Sequence, residues 1–170
     1  MQRKSLLLAV ALLGASGSAA AALEDGLYFG GKAGLMMPDA SALDDAINIG
    51  GNVGYTFPGI VLPFNGRLST EGELTTTISK GDAPGGEWDV TTLGAYGVYR
   101  AGDAIYFKGK AGLAYQKVDV STFGGGGDDT STDLSVGLGG GLKMGAGALE
   151  VEYTLLDKVD FFSVGYVFGF

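Results

Sequence analysis

The sequence predicts an all-β fold, an eight-stranded antiparallel up-and-down transmembrane β-barrel. Residues 160–170 (D-F-F-S-V-G-Y-V-F-G-F) alternate between large apolar and mostly small side chains. This period of two is typical of a strand between lipid and a narrow interior. Seven further segments show the same alternation. Long and short links separate most of these segments, as extracellular loops and periplasmic turns do in outer-membrane barrels.

The first 22 residues have the layout of a cleavable secretory signal and are excluded from the fold. Arg3 and Lys4 precede an apolar run over residues 6–13, and small residues close the segment at 20–22. This is the order of regions in a signal peptide with an A-x-A cleavage site. The apolar run is too short for a transmembrane helix, which needs about 20 residues. We expect cleavage near Ala22, which leaves residues 23–170 as one outer-membrane β-barrel domain.

The composition excludes several classes of function. The chain has no histidine and no cysteine, which removes imidazole catalysis, histidine-ligated metals, disulfides and a lipid-modified cysteine. Loss of Arg3 and Lys4 leaves 9 basic residues against 19 acidic ones, a net charge of about −10. We therefore expect no nucleic-acid partner, because phosphate binding requires a basic surface. No cofactor or metal is expected either. The 32 glycines against 4 prolines suit tightly closed strands.

Four strands are predicted in the first half of the mature chain. Residues 26–36 place Leu27 and Phe29 on an apolar face and Lys32 in the middle of a glycine-rich one. The next segment alternates in the same way before Pro58 and Pro63, which interrupt the pattern because proline donates no ladder hydrogen bond. The three remaining strands are predicted at 47–57, 67–78 and 88–100.

The second half of the chain supplies the other four strands. Residues 104–120 form a long strand with Phe107 on one face and Lys108 and Lys110 on the other. The alternation changes phase after Gln116, so this end is expected to project beyond the bilayer. Residues 121–133 are rich in glycine and aspartate, which predicts a flexible loop. The last three strands are predicted at 134–143, 149–155 and 160–170.

An internal repeat supports the strand count. Y-F-G-G-K-A-G-L at residues 28–35 recurs as Y-F-K-G-K-A-G-L at 106–113, an offset of 78 residues that is close to half the mature chain. The E-G-E segment at 71–73 likewise matches E-V-E at 150–152. Either a four-stranded unit has been duplicated, or strands in similar environments of the barrel have acquired similar sequences independently. Both explanations give eight strands.

With these residues, the chain resembles the small, porin-like outer-membrane β-barrel family that includes the transmembrane domain of outer membrane protein A. The resemblance rests on L-Y-F-G-G-K-A-G-L at 27–35, K-G-K-A-G-L-A-Y at 108–115 and the aromatic C-terminus. It implies that Lys32 points into the lumen. It also implies that the C-terminal strand is recognised by the barrel assembly machinery, through Tyr166, Phe168 and Phe170.

Charged residues on the glycine-rich faces predict an ionic network inside the barrel. A lysine on the lipid face would cost about 2–4 kcal/mol near the bilayer midplane, so these side chains must point inward. The interior of an eight-stranded barrel is just wide enough for side chains to fill. The network can act as a structural plug, or as the gate of a narrow ion path, with Arg67 as a possible additional cation. Its predicted members are Lys32, Glu71, Glu73, Lys108, Lys110, Glu150 and Glu152.

Several functions are compatible with this architecture. The first is a non-enzymatic outer-membrane barrel that serves envelope integrity or surface interaction, with its lumen plugged by the network of charged side chains. The alternative is a small porin-like channel with narrow, gated conductance. An enzyme acting on lipid A is disfavoured because the sequence has no histidine. A soluble secreted β protein is disfavoured because the small and charged faces, not the apolar ones, fit an interior.

The expected partners are outer-membrane lipid and lipopolysaccharide, together with the barrel assembly machinery during biogenesis. Residues 124–132 (G-G-G-G-D-D-T-S-T) nearly match a calcium-binding nonapeptide, but such repeats bind calcium as stacked copies. A flexible acidic loop is the simpler interpretation. Aspartates in the predicted outer loops could bridge lipopolysaccharide phosphates through divalent cations, or simply keep the loops solvated.

Overall fold

The computed structural model describes residues 26–40, 42–60, 62–122 and 125–169. The predicted signal peptide and Phe170 lie outside these ranges. The described chain forms strands with short connections, and it contains no helix that is long and apolar enough to cross a membrane. The strands are β1 (Leu27–Pro38), β2 (Ala46–Thr56), β3 (Arg67–Ser79), β4 (Gly81–Ala83), β5 (Gly86–Gly102), β6 (Ile105–Thr122), β7 (Gly125–Met144), β8 (Gly147–Leu155) and β9 (Val159–Phe168).

The strands close into a barrel in which sequential neighbours pair antiparallel. β1 pairs with both β2 and β9, which closes the sheet. β3 pairs with β5, and the short β4 continues along the same edge of β5 after a break at Lys80. Because β3 and β4 together occupy one position beside β5, the barrel wall has eight strands, which confirms the predicted fold class. Closure leaves the wall without a free sheet edge at membrane depth, so every backbone group there can be paired.

The two ends of the barrel differ. β5–β6 and β7–β8 are joined at one end by turns of two residues, 103–104 and 145–146. Both ends of the described chain lie at this same end. We assign it to the periplasm, because periplasmic turns are short in such barrels. At the opposite, extracellular end, β7 runs past β8, while β6 stays paired with β5 over its upper part.

The prediction of a flexible loop over residues 121–133 is wrong. β6 and β7 stay in register from Leu113↔Leu134 out to Thr122↔Gly125, so the segment is the upper part of a long hairpin. β8 pairs with β7 only as far as Val136↔Leu155. The hairpin therefore rises beyond β8, whereas β5 stays paired with β6 up to Gly86↔Thr122. Backbone pairing outweighs the low strand propensity of glycine and aspartate here, because β6 supplies a template along its whole length.

Period-two alternation places apolar side chains outside the barrel and small or polar ones inside. Phe107, Leu134 and Leu138 are 80%, 81% and 76% exposed. A contiguous apolar surface of this extent is unfavourable in water and fits lipid. On β9, Phe162 is exposed while Phe161 and Ser163 are buried, as the sequence predicted for the C-terminal strand.

The extracellular end of the interior is closed by an apolar cluster, here called the apolar cap. Trp88 is fully buried within it, and its indole Nε1 donates a hydrogen bond to the backbone oxygen of Asp44 at 2.8 Å. An inward position of Trp88 was not predicted, because glycine, threonine and alanine weaken the alternation along its strand. Besides Trp88, the cap contains Met36, Ala46, Val90, Val159 and Phe161.

An ionic network in the barrel lumen

The charged side chains of the lumen come from residues two apart on the same strand. Two residues along a strand return to the same face, so β3, β6 and β8 each present a pair of like charges to the interior. β1 adds Lys32. All seven residues that the sequence assigned to this network point inward and are linked to one another by ion pairs. They are Lys32, Glu71, Glu73, Lys108, Lys110, Glu150 and Glu152.

Four of these side chains form a closed square of ion pairs. Lys32 Nζ lies 2.6 Å from Glu73 Oε2 and 3.0 Å from Glu152 Oε1. Lys110 Nζ lies 2.9 Å from the same Glu73 oxygen and 2.8 Å from the same Glu152 oxygen. Each cation therefore touches both anions. Lys110 also lies over the ring of Tyr96, 4.2 Å from its centroid, a favourable cation–π contact.

A second cluster lies on the periplasmic side of the square. Arg100 reaches Glu150 through Nε at 2.8 Å and Glu71 through Nη2 at 3.0 Å. Lys108 Nζ lies 2.9 Å from Glu150 Oε2 and 3.3 Å from Glu71 Oε1. It also lies 2.7 Å from Glu152 Oε2, which joins the cluster to the square. The described residues thus bring four cations and four carboxylates together, and the network as a whole is neutral.

Arg100 is the member that the sequence analysis missed. It lies on β5, whose lumen-facing residues are Trp88, Val90, Thr92, Gly94, Tyr96, Val98 and Arg100. The sequence suggested Arg67 instead, which is the cross-strand neighbour of Arg100 and lies partly exposed at the end of β3. The cost of a charge in lipid favours an inward Arg100, but the predicted strand ends at this residue, where a charge can also reach the interface. The pattern alone therefore left the phase of β5 open.

Two tyrosine hydroxyls complete the network. Tyr28 donates to Glu71 Oε2 at 3.0 Å and accepts from Arg100 Nη1 at 3.0 Å. Tyr106 donates to Glu150 Oε1 at 2.7 Å. Both tyrosines stand at the periplasmic side of the charges. They supply the additional hydrogen bonds that buried carboxylates require if ion pairing is to offset their loss of water.

The network has an approximate twofold symmetry that follows the sequence repeat. Tyr28 and Tyr106 hold equivalent positions in the repeat, and each donates to the first glutamate of its own half. The two repeat lysines, Lys32 and Lys110, each contact the second glutamate of both halves. Arg100 and Lys108 break the symmetry, since the residue equivalent to Lys108 in the first half is Gly30.

The network leaves little free space. A cavity of about 10 Å³ lies beside Lys32, Asn52 and Glu152, which is room for about one water molecule. Asn52 Nδ2 has no hydrogen-bond partner there, and Glu152 Oε2 accepts no well-aligned hydrogen bond despite its ion pair with Lys108. Above the charges, Asn48, Thr75 and Thr92 form a layer of amide and hydroxyl contacts below the apolar cap.

Two residues of the predicted assembly signal, Tyr166 and Phe168, lie at the periplasmic end of β9. The Tyr166 and Phe168 rings are 4.7 Å apart, and Phe168 stacks on Phe29 of β1 at 5.4 Å. These aromatic contacts join the last strand to the first at the point of closure. Phe170 lies outside the described residues. Recognition of this strand by the assembly machinery stays a prediction.

A closed antiparallel barrel with an apolar exterior and a charged, filled interior defines an integral outer-membrane protein of the small-barrel class. The chain belongs to the outer membrane protein beta-barrel domain family, whose model matches residues 5–170. No curated protein matches the chain significantly in sequence.

Solved structures share the fold at low sequence identity. Neisserial surface protein A is 16% identical, with a TM-score of 0.56, over 85% of this chain and 97% of that one. OprG from Pseudomonas aeruginosa is 12% identical, with a TM-score of 0.53, over 85% and 97%. The outer membrane enzyme PagL is 15% identical, with a TM-score of 0.52, over 84% and 99%. At these identities the likeness extends to the fold alone.

Proposed function

We propose that this protein is a non-enzymatic, non-conducting barrel that serves envelope integrity or surface interaction in the outer membrane, with its lumen closed by the ionic network. The observation that carries this proposal is the neutral set of four cations and four carboxylates among the described residues. These side chains fill the lumen in two adjoining layers, the square and the cluster on its periplasmic side. A solute would have to separate several buried ion pairs to pass, and each separated charge would remain in an interior that solvates it poorly.

The apolar cap adds a second barrier at the extracellular end. An ion that crosses this layer would lose its water without gaining a polar partner. Trp88 is the largest side chain of the cap, and its hydrogen bond to Asp44 ties the β1–β2 link to the interior. The two barriers differ in kind and lie in series. Their combination favours the plug over the narrow, gated channel.

Conductance of the purified protein in planar lipid bilayers tests this function. We expect small or rare current steps from the native chain. Lys108→Met should raise the conductance or the open fraction, because it removes a cation that contacts Glu71, Glu150 and Glu152. The exposed Lys80→Met is the matched control and should conduct like the native chain. Frequent, discrete openings of the native chain would favour the small porin-like channel instead, and large stable openings would contradict both functions.

The proposal includes the route to the membrane and the partners met there. The signal segment would be cleaved near Ala22, and the assembly machinery would recognise the C-terminal strand. Outer-membrane lipid would surround the apolar exterior. Acidic side chains at the extracellular end would keep this rim solvated, or bridge lipopolysaccharide phosphates through divalent cations. The described candidates are Asp39, Asp44, Asp45, Asp82, Asp128, Asp129 and Asp133.

The non-enzymatic part of the proposal rests on the chemistry that the sequence supplies. The chain has neither histidine nor cysteine, and the eight charged side chains of the network, all among the described residues, are paired with one another. The fold likeness to the enzyme PagL carries no activity to this chain. Incubation of the purified barrel with lipopolysaccharide, followed by mass spectrometry of lipid A, tests this part. Turnover of lipid A would contradict it.

A further inference from the structure

The link between β2 and β3 is unusual for the periplasmic end of the barrel. It spans residues 57–66, whereas the other two links at this end, 103–104 and 145–146, have two residues each. Short turns suffice to join antiparallel neighbours. The additional length of this link is therefore not needed to close the barrel.

The described part of this link exposes large apolar side chains. Phe57, Ile60 and Phe64 are 37%, 44% and 84% exposed. A turn in water is usually built from polar residues, glycine and proline. Phe64 is more exposed than Phe107 on the lipid-facing wall, although it lies outside the regular strands. The ring does not pack against the barrel.

The backbone of the link holds this ring outward at a conformational cost. Phe64 and Asn65 have φ angles of 58° and 54°, in the left-handed region that asparagine tolerates and a bulky residue such as phenylalanine disfavours. The conformation is fixed on both sides. Tyr99 donates from its hydroxyl to the Pro63 carbonyl at 2.6 Å, and Asn65 Nδ2 donates to Asp103 Oδ2 at 3.0 Å. Backbone strain that the surroundings enforce is typical of positions with a task.

We propose that this link is a lipid anchor, whose apolar side chains insert into the phospholipid leaflet at the periplasmic face. The link continues the lipid-facing surface of β2, because Phe57 packs edge-on against Tyr55 at 5.6 Å. An exposed aromatic ring at this height would occupy the headgroup boundary, as interfacial aromatic residues do.

Site-directed spin labelling of the full chain in vesicles of phosphatidylethanolamine and phosphatidylglycerol tests this anchor. The sequence has no cysteine, so each single-cysteine variant carries one label. The test variant is Phe64→Cys. Phe107→Cys on the barrel exterior is the lipid reference, and Ser121→Cys on the exposed upper hairpin is the water reference. Faster migration of unboiled than of boiled protein in a detergent gel verifies that each variant is folded.

Collisions of the label with oxygen and with a nickel chelate give the result. We expect Phe64→Cys to resemble Phe107→Cys, with high oxygen and low nickel accessibility. A label as accessible to nickel as that of Ser121→Cys would overturn the anchor, and would leave a protein partner as the reason for the exposed ring. If Phe64→Cys does not fold, Ile60→Cys decides the question by the same comparison. Because no current is measured, the outcome is independent of the proposed plug.

Discussion

The square of Lys32, Glu73, Lys110 and Glu152 shows how a narrow interior accommodates buried ions. Each side chain touches both of its opposites within 3.0 Å. Removal of any one leaves two like charges competing for a single partner. Removal of one cation together with one anion leaves an intact pair. The effects of substitutions at these four residues on the free energy of unfolding should therefore be strongly non-additive.

This geometry predicts the outcome of a double-mutant cycle at Lys110 and Glu73. Lys110→Met and Glu73→Met should each destabilise the barrel by about 3–5 kcal/mol, because each leaves an uncompensated buried charge. The double variant should recover part of this loss, since Lys32 and Glu152 remain paired. We expect a coupling of about 0.5–3 kcal/mol, measured by urea unfolding in lipid vesicles.

The control cycle uses Lys80 and Asp89, which pair at 2.6 Å on the surface with side chains 46% and 25% exposed. A surface pair of this kind should couple by about 0.2–1 kcal/mol. Equal coupling energies in the two cycles, or additive effects at Lys110 and Glu73, would show that burial in the lumen does not strengthen the interaction of the pair.

Arg100 should be intolerant of replacement by lysine. Its planar guanidinium joins Glu150, Glu71 and the Tyr28 hydroxyl at once, a geometry that a single ammonium group on a shorter stem does not reproduce. Arg100→Lys should lower the free energy of unfolding by about 1.5–3 kcal/mol, the range for one hydrogen bond to a charged group. Arg67→Lys on the neighbouring strand should change stability by about 0.5 kcal/mol or less. Similar urea midpoints for the two variants would contradict the special role of Arg100.

At the scale of the strand, the two tyrosines of the network are positioned by glycines on adjacent strands. Tyr28 lies opposite Gly54 on β2, and Tyr106 lies opposite Gly141 on β7. A Cβ at Gly54 would be 2.2 Å from the Tyr28 ring, and one at Gly141 would be 2.3 Å from the Tyr106 ring. Each ring lies flat across a glycine, which brings its hydroxyl to a carboxylate.

Gly54→Ala and Gly141→Ala should therefore disturb the network without touching a charge. Displacement of the ring costs about 1–3 kcal/mol by overpacking, and the tyrosine–glutamate hydrogen bond is weakened as well. Gly72→Ala is the control, because the nearest heavy atom to its Cβ would be 3.9 Å away. Thermal unfolding followed by circular dichroism compares the three. If Gly72→Ala lowered the unfolding temperature as much as Gly54→Ala, the cause would be a change in strand propensity and not displacement of the ring.

At the scale of the whole molecule, closure joins β1 to β9 along ten residue pairs, from Phe29↔Phe168 to Pro38↔Val159. A closed barrel has no strand edge from which unfolding can start. Unboiled protein should therefore migrate faster than boiled protein in a detergent gel. Identical migration, with recovery in the soluble periplasmic fraction, would contradict a membrane barrel.

Deletion of Phe170 should slow assembly more than it lowers stability. The predicted recognition signal ends on this aromatic residue, whereas the described closure contacts involve Phe168 and Phe29. Pulse-labelled cells should show delayed appearance of the fast-migrating form, while the urea midpoint of the assembled barrel stays close to that of the native chain. Phe162→Ala on the same exposed face is the control for general loss of apolar surface. Normal assembly kinetics after the deletion would remove Phe170 from the signal.

The sequence by itself determined the class of this protein. Alternation with a period of two separates lipid-facing from lumen-facing residues, and the cost of a lysine in lipid decides which face is inside. These two arguments identified the eight strands of the barrel wall and seven of the eight charged side chains of the network. The repeat correctly related Lys32 to Lys110 and the glutamates of the two halves.

Only the tertiary structure decided which charges meet. Contacts between strands far apart in sequence depend on the stagger of the closed barrel, which is a property of the whole ladder and leaves no local pattern. Lys32 therefore contacts Glu152, 120 residues away. Arg100 and Trp88 lie on β5, where glycine, threonine and alanine weaken the alternation, so closure against β3 and β6 was needed to fix which side chains face the lumen.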